Sequence, residues 1–549
     1  TVCDPACGSG HFLIGAARRI AKRLAGLRTG DPEPAPAAVR AAMREVVGRC
    51  IYGVDVNPLA AELAKVSLWM ETLDAGKPLA FLDAQIKVGH ALMGATPKLL
   101  ADGLPDEAFT SIEGDDKKIA TTLTKQNRAE RKAQGSLFDI DMATATGKLG
   151  EQVHQVIAAS ALSLADVHIQ QKRWRSYTDS DAYRGQHLAA DAWCAAFVWP
   201  KIPGAPTAPT HHTIAALLDG ADALSGASRA EVARLAAEYR FFHWHLEFPH
   251  LFGVTAGPGD TVNPATGWAG GFSVLISNPP WERVKLQEQE FFAARDPDIA
   301  TAPNAAARKK LIKDLPASNP GLYAVFAAEK RRAEGVSHFL RNSGRYPLTG
   351  RGDINTYQIF AEAERDLLAG AGRLGIILPT GIATDATTQY FFKDLVEHGS
   401  IASLYDFENA KPLFQGVHRS FKFCLLTLVG RDDREPAADF AFFAHDPTDL
   451  HRANARFTLT PEEITLLNPN TGTCPVFRTR RDAEITLGIY RRVPVLIREG
   501  DPDGNPWGIK FMRMFDMSND SHLFHTRDEL EADGWVLVGN VFEKIDGGG

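Results

Sequence analysis

Cysteine is scarce in this sequence: six among 549 residues, with no Cys-x-x-Cys pair. That excludes a disulfide framework and a zinc knuckle. Long apolar runs are lacking as well. None reaches the ~20 residues of a membrane-spanning helix, and no signal-peptide pattern is visible, so a cytoplasmic location is expected. Positive charge is not in excess, with 60 Lys and Arg against 67 Asp and Glu and a net charge of −7. This excludes a generally basic protein that coats polyanions, although a local basic surface suffices for nucleic acid. No repeat of fixed length is evident. The length leaves room for more than one domain.

What the sequence does have is concentrated in three short strings. The most informative is Asn278-Pro279-Pro280-Trp281. It follows Phe272 to Ser277, an apolar run that reads as a buried strand. Two prolines end a strand abruptly and fix the local backbone. An amide, a rigid carbonyl and an aromatic ring then project together at the strand's C-terminal edge, where open α/β sheets bind ligands. The Asn278 amide oxygen and the Pro279 carbonyl can accept hydrogen bonds from an exocyclic NH2, while Trp281 stacks on the ring that carries it. An ordinary strand-ending turn is the other reading of Asn-Pro-Pro alone.

The second string opens the chain: Thr1-Val2-Cys3-Asp4-Pro5-Ala6-Cys7-Gly8-Ser9-Gly10-His11. It reads as a strand end, an acid, a glycine turn and a helix whose apolar stripe is Leu13, Ala16, Ile20 and Leu24. Gly8 and Gly10 let the backbone approach a ligand closely. Cys3 and Cys7 read as small packing residues. The third string, Ile51 to Asp55, reads as the next strand, ending in a carboxylate. Asn57 caps the following helix and Pro58 suits its first turn. A carboxylate at the end of a second strand is the usual partner of ribose hydroxyls.

Together these strings resemble the amino-methyltransferases that use S-adenosylmethionine, above all the DNA adenine-N6 type of type IIG restriction–modification enzymes and related phage-defence systems. The resemblance runs through most of the chain in the family's order. It implies an α/β fold: a Rossmann-like class I methyltransferase sheet with a large, mainly helical insertion and the start of a C-terminal recognition region. It implies S-adenosyl-L-methionine as cofactor, held by Asp4, Pro5, Ala6, Gly8 and Gly10, by Asp55 and Val56, and by His90 and Ala91. Relatives usually carry Asn or Asp at the place of His90. A neutral imidazole accepts one hydrogen bond, so a cofactor contact and a structural role both stay open there. The resemblance assigns catalysis to Asn278, Pro279, Pro280 and Trp281, with Phe414 on the far face of the target base. No metal is expected. Segments Asp353 to Phe360, Arg373 to Pro379, Leu404 to Asn409 and Phe421 to Val429 resemble the later sheet motifs.

The implied division is residues 1–95 and 272–430 as the two halves of a methyltransferase domain, 96–271 as insertion, and 431–549 as the start of a target-recognition region. The family's upstream aromatic-Gly segment is missing before Thr1, so a chain truncated at both ends is expected. Helical spacing marks Gln152 to Leu164 and Arg229 to Leu246, and Pro200 to Thr210 reads as a loop. His243, His245 and His250 lie among aromatics and read as packing residues rather than metal ligands. Arg283, Lys285, Arg308, Lys309, Lys310, Lys313, Lys330, Arg331 and Arg332 form a basic stretch, open to phosphate contact or to a solvated charged face. Lys125 to Lys132 reads as an exposed helix.

The implied activity is site-specific methylation of adenine N6 in double-stranded DNA, with other restriction or phage-defence subunits as further partners. Protein-glutamine and RNA amino-methyltransferases share the Asn-Pro-Pro-aromatic site and form the alternative. The methyltransferase part of a bifunctional restriction endonuclease is another, as is a non-catalytic DNA-specificity subunit, against which Asn278, Trp281 and Asp55 argue.

Overall fold

Short apolar runs bounded by glycine, proline and asparagine become the strands of this protein. Those before the last segment of the chain are β1 (Val2–Asp4), β2 (Ile51–Asp55), β3 (Ile86–Val88), β4 (Phe252–Gly253), β5 (Ala269–Gly270), β6 (Phe272–Ser277), β7 (Leu368–Pro379), β8 (Ile401–Glu408), β9 (Lys422–Val429), β10 (Ala438–Ala444) and β11 (Phe457–Leu459). The structure is a computed structural model that describes all residues except 75, 135–141, 160–162, 255–260, 517–518 and 545–549.

Nine of these strands form one sheet in the order β11-β10-β8-β9-β7-β6-β1-β2-β3. Strands β3, β2, β1, β6 and β7 are mutually parallel. Strand β9 runs antiparallel to both of its neighbours, β7 and β8. Strand β10 is parallel to β8, and β11 is antiparallel to β10. The fold is thus mixed α/β with a largely parallel central sheet. The chain order reverses beside β1, with β2 on one side and β6 on the other. Such a switch point opens a crevice at the strands' carboxyl ends.

Helix His11–Thr29 begins at Gly10 and ends at Gly30, both in the left-handed region. Its fully buried row is Leu13, Ala17, Ala21 and Ala25; Ala16, Ile20 and Leu24 lie half-buried beside it. The expected stripe is displaced by one residue because alanines let the helix lie close on the sheet. Strand β6 is less covered than its sequence suggests: Phe272, Leu275 and Ser277 are buried, but Ser273 and Val274 are exposed beside the three-residue β1.

Between β3 and β6 the chain is mainly helical. Its longest well-buried member is Asp181–Val198, with Trp193, Cys194, Ala195, Ala196 and Phe197 wholly inside. These side chains share one core with Tyr52 of β2 and Phe272 of β6, so the helices continue the sheet's core. Helix Gly226–Tyr239 stops at Arg240, which takes φ 54°, and a short helix resumes at Trp244–Glu247. The expected single helical run is therefore broken, and the two-residue strands β4 and β5 pair within the same region. Residues 201–210 contain no helix or strand.

The sheet also outruns the sequence-based boundary near Gly430. Strands β10 and β11 extend it, held by Phe440, Phe442 and Phe457 with ring centroids 6.1–6.2 Å apart. One compact unit spans Thr1–Arg492 and a second begins at Val493. The second unit contains helix Arg527–Ala532 and the antiparallel hairpin β12 (Trp535–Val538) and β13 (Val541–Lys544).

Candidate functional site

The glycine turn after β1 is built by backbone contacts with β2. The Cys7 N–H donates to the Val54 carbonyl at 3.0 Å, and the Gly10 N–H to the Cys7 carbonyl at 2.8 Å. Gly8 and Gly10 have φ of +51° and +85°, a region that disfavours residues with a Cβ. A Cβ at Gly8 would point into open space, whereas at Gly10 it would press on Ala64 at 3.3 Å. The turn thus keeps an open concave side, and the helix behind it starts without a side-chain cap. A 19-residue helix with free N–H groups at its start attracts partial negative charge.

Asp55 ties this turn to the end of β2. Its Oδ2 accepts the Gly8 N–H at 2.9 Å and its Oδ1 the Asn57 N–H at 2.8 Å. Each oxygen keeps a lone pair, and the side chain remains half-exposed. Val56, next in line, is exposed. Asn57 caps helix Pro58–Glu71 by accepting the Leu59 N–H. Asp4 is buried below the turn and accepts the Ala6 N–H at 3.0 Å. Burial pushes its carboxyl up to about 7, against the Ala6 bond and helped by the charge of Asp55.

Pro5, Ala6 and Gly8 therefore sit between two carboxylates, one buried and one reachable. The third predicted cofactor segment lies at the end of β3. The Gly89 N–H donates to the Asp55 carbonyl at 2.9 Å. The His90 N–H donates to the Arg240 carbonyl at 2.7 Å, and its Nδ1 accepts the Leu92 N–H at 3.4 Å. Burial holds the imidazole down to about 4, so it is neutral at pH 7. The Ala91 carbonyl is taken by the Trp244 indole N–H at 2.9 Å.

Sequence reasoning missed Arg240. Its guanidinium donates to the Val56 carbonyl while its own carbonyl holds His90. One residue of the helical region thus braces two of the predicted cofactor segments. The visible signals were Gly89 and Gly94: a Cβ there would lie 2.2 Å and 1.9 Å from atoms of Phe242, two residues beyond Arg240.

On the other side of β1, Asn278 follows β6, whose Leu275 is in register with Cys3. Asp4 and Asn278 therefore leave adjacent parallel strands at the same end. Asn278 and Pro280 are exposed, Pro279 is buried and Trp281 is half-buried. Among the described residues, the Asn278 amide and the Pro279 carbonyl have no hydrogen-bond partner. The Trp281 indole N–H is buried without one. An unpaired buried donor is costly, and here it follows within three residues of the exposed Asn278.

The aromatic partner of Trp281 is Phe421. The two rings are stacked with centroids 5.7 Å apart and planes 9° from parallel. Phe414, expected opposite Trp281, packs edge-on against Phe423 at 5.0 Å instead. The reason is local. Buried Asn409 accepts the Phe414 N–H and donates to the carbonyls of Phe414 and Val417, each at 3.0 Å. This pins Phe414 inward and leaves Phe421 as the exposed ring. All of Asn278, Pro279, Pro280, Trp281 and Phe421 lie on strands or loops around β6 and β9.

The Eco57I restriction-modification methylase family matches residues 49–328, just over half of the chain, including Asp55 and the whole of Asn278–Trp281. The chain belongs to that family. Two curated relatives are similar over shorter stretches. RM.MjaORFECS2P of Methanocaldococcus jannaschii, named as a type II restriction enzyme and methyltransferase, is 30% identical over 105 residues, 17% of this chain and 8% of its own. Adenine-specific methyltransferase PglX of Streptomyces coelicolor is 40% identical over 72 residues, 13% of this chain and 5% of its own. The chain thus covers less than a tenth of either relative. Among solved structures, the ATP-dependent Type ISP restriction-modification enzyme LlaBIII bound to DNA aligns with 80% of this chain and 17% of its own. Its TM-score is 0.29 and its identity 9%.

The basic stretch divides in two. Arg308 pairs with Glu288, Lys330 with Glu113 and Arg331 with Asp115, which is itself buried with Lys201. These cations hold the fold. Lys309, Lys310 and Lys313 on helix Ala305–Ser318 are exposed, as are Arg283, Lys285 and Arg332, and none has an ion-pair partner among the described residues.

His243 and His245 are buried, and His243 and His250 make side-chain hydrogen bonds. His250 pairs with the Tyr52 hydroxyl at 2.9 Å. His243 lies with His187 and Asp191 in a cluster of metal-ligating type. Its Nδ1 accepts the Ala95 N–H at 3.1 Å, which leaves the ring proton on Nε2, 3.0 Å from Asp191. The nitrogen facing the cluster thus carries a hydrogen rather than a free lone pair.

Proposed function

We propose that this methylase transfers the methyl group of S-adenosyl-L-methionine to N6 of adenine in double-stranded DNA, in a cytoplasmic restriction–modification or phage-defence system. The observation that carries the reading is the adjacency of β1 and β6. It sets the glycine turn and Asp55 beside Asn278-Pro279-Pro280-Trp281 at one switch point. The sheet order, with antiparallel β9 between β7 and β8, supports a Rossmann-like class I methyltransferase sheet.

The residues present fit the cofactor. Gly8 leaves a cradle that a Cβ would fill, and Asp55 offers lone pairs for two ribose hydroxyls. Pro5, Ala6, Gly10, Val56, His90 and Ala91 form the rest of the wall, and buried Asp4 supports the turn. When bound, S-adenosylmethionine supplies an electrophilic methyl group on a sulfonium, so the chain's contribution is position and electrostatics.

A base stacked in a duplex is out of reach and must be flipped out. Asn278 and the Pro279 carbonyl accept hydrogen bonds from its amino group and so direct the nitrogen lone pair. Half-buried Trp281, stacked on exposed Phe421, is the aromatic surface beside that amide, and Phe414, assigned to the far face of the base, packs with Trp281 against the same apolar cluster. Lys309, Lys310 and Lys313 supply phosphate contacts, which give affinity without specificity. Residues 431–549 are proposed as the start of target recognition, with β10 and β11 adding strands to the sheet at its beginning.

The test is to incubate the protein with methyl-labelled cofactor and DNA, digest the DNA to nucleosides and identify the product. N6-methyldeoxyadenosine is expected. Label recovered in protein glutamine or in RNA would assign the site to the alternative chemistry.

A further inference from the structure

We propose that Thr356 and Glu364 are positioning residues: the helix Thr356–Leu367 grips the Asn-Pro-Pro-Trp segment on both sides and fixes which of its carbonyls is left for substrate. This rests on the reading of Asn278–Trp281 as the methyl-transfer site.

The segment has an intrinsic weakness. Pro279 and Pro280 have no N–H, so two consecutive residues cannot be held through their own donors. Their carbonyls must instead be held by donors from elsewhere. Thr356 provides one. Its Oγ1 lies 2.6 Å from the Pro280 carbonyl and 3.2 Å from that of Glu282. A hydroxyl has one proton, and the shorter contact takes it. The same oxygen accepts the Glu282 N–H at 3.0 Å, and the Thr356 N–H donates to the Glu282 carbonyl at 2.8 Å. The Val284 N–H closes the clamp on the Ile354 carbonyl at 3.0 Å. With the Pro280 carbonyl committed, the Pro279 carbonyl and the Asn278 amide stay free.

On the other side of the segment stands Ser277. It is fully buried, and its hydroxyl lies 2.7 and 2.9 Å from the two carboxyl oxygens of fully buried Glu364. Burial holds Glu364 well above the usual carboxyl range, and Asp4 adds to this. The Ser277 hydroxyl donates to this carboxyl group, which accepts it between its two oxygens. Thr356 and Glu364 stand eight residues apart on one helix, about 12 Å along its axis. The helix start is fixed by a reciprocal cap between Asn355 and Gln358. One rigid element therefore sets both ends of Asn278–Trp281, and Glu364 also faces the buried acid under the cofactor turn.

The experiment uses the whole protein and four variants: Thr356→Val, Thr356→Ser, Ser277→Ala and Glu364→Gln. Thr356→Val keeps the shape and loses the hydroxyl. It should lower kcat for methyl transfer by about tenfold or more, since small misplacements near reacting atoms are costly. The cofactor KM and calorimetric affinity should not change. Thr356→Ser should restore kcat to within about twofold. Glu364→Gln, which keeps an oxygen to accept the Ser277 hydroxyl, should stay near wild type, whereas Ser277→Ala should lose kcat. Hydrogen exchange gives a readout that needs no activity. In Thr356→Val the amides of Glu282 and Val284 should exchange about tenfold faster, with residues 6–13 unchanged. Wild-type kcat in both Thr356→Val and Ser277→Ala, or unchanged exchange at Glu282, would overturn the proposal. Wild-type protein that modifies no DNA would instead overturn the methyl-transfer reading, and the exchange result would still decide whether the clamp exists.

Discussion

Two carboxylates, Asp4 and Asp55, do different work within four residues of the same turn. Asp55 offers lone pairs outward from two backbone N–H bonds. Asp55→Ala should leave the fold intact and weaken S-adenosylmethionine binding by about tenfold or more, since it removes a half-exposed group and two charge-assisted hydrogen bonds. Calorimetry on the folded variant measures this, and unchanged affinity would contradict the ribose-binding role. Asp4 is held up to about 7 by burial. Its folded value is above its unfolded one, so the folded state binds the extra proton. Its contribution is then largest below about pH 4 and declines as pH rises toward 7. Asp4→Asn removes that titration. The Tm difference between wild type and variant should therefore move against the wild type from pH 4 to 7, with all other groups common to both. A pH-independent difference would mean that Asp4 is ionised throughout.

At the scale of elements, what the sequence made legible was what single residues dictate locally. Prolines ended β6, glycines opened the turn after β1, and Asn57 capped its helix. What stayed hidden depended on distant partners. Phe414 and Phe421 are both phenylalanines near β9, and only the bonds of buried Asn409 decide which ring turns inward. The break at Arg240 follows from the close approach of Phe242 to Gly89 and Gly94, which no periodicity reports. The basic stretch read as one surface, yet Arg308, Lys330 and Arg331 are consumed by acids far away in sequence. That division yields a prediction for helix Ala305–Ser318. Replacing Lys309, Lys310 and Lys313 together by Ala should weaken DNA binding about equally for all sequences. It should also reduce the slope of log affinity against log salt by up to about 3. Fluorescence anisotropy across a salt series measures both. An unchanged slope would make this helix a solvated charged face.

For the whole molecule, the central claim is that two separate stretches of chain form one reaction site because β1 and β6 are neighbours in the sheet. In the proposed reading the glycine turn and Asp55 hold the methyl donor, and Asn278 orients the acceptor. Separation of these two tasks is testable in one variant. Asn278→Ala should keep cofactor affinity within about twofold of wild type, because the amide stands on the acceptor side. It should lower methyl transfer to DNA by about a hundredfold or more, the cost of losing an orienting group at the reacting nitrogen. The deciding measurement is therefore paired, cofactor affinity by calorimetry and labelled methyl transfer to DNA, on the same preparation of Asn278→Ala. Retained binding with lost transfer is the predicted result; methyl transfer at the wild-type rate would contradict the account.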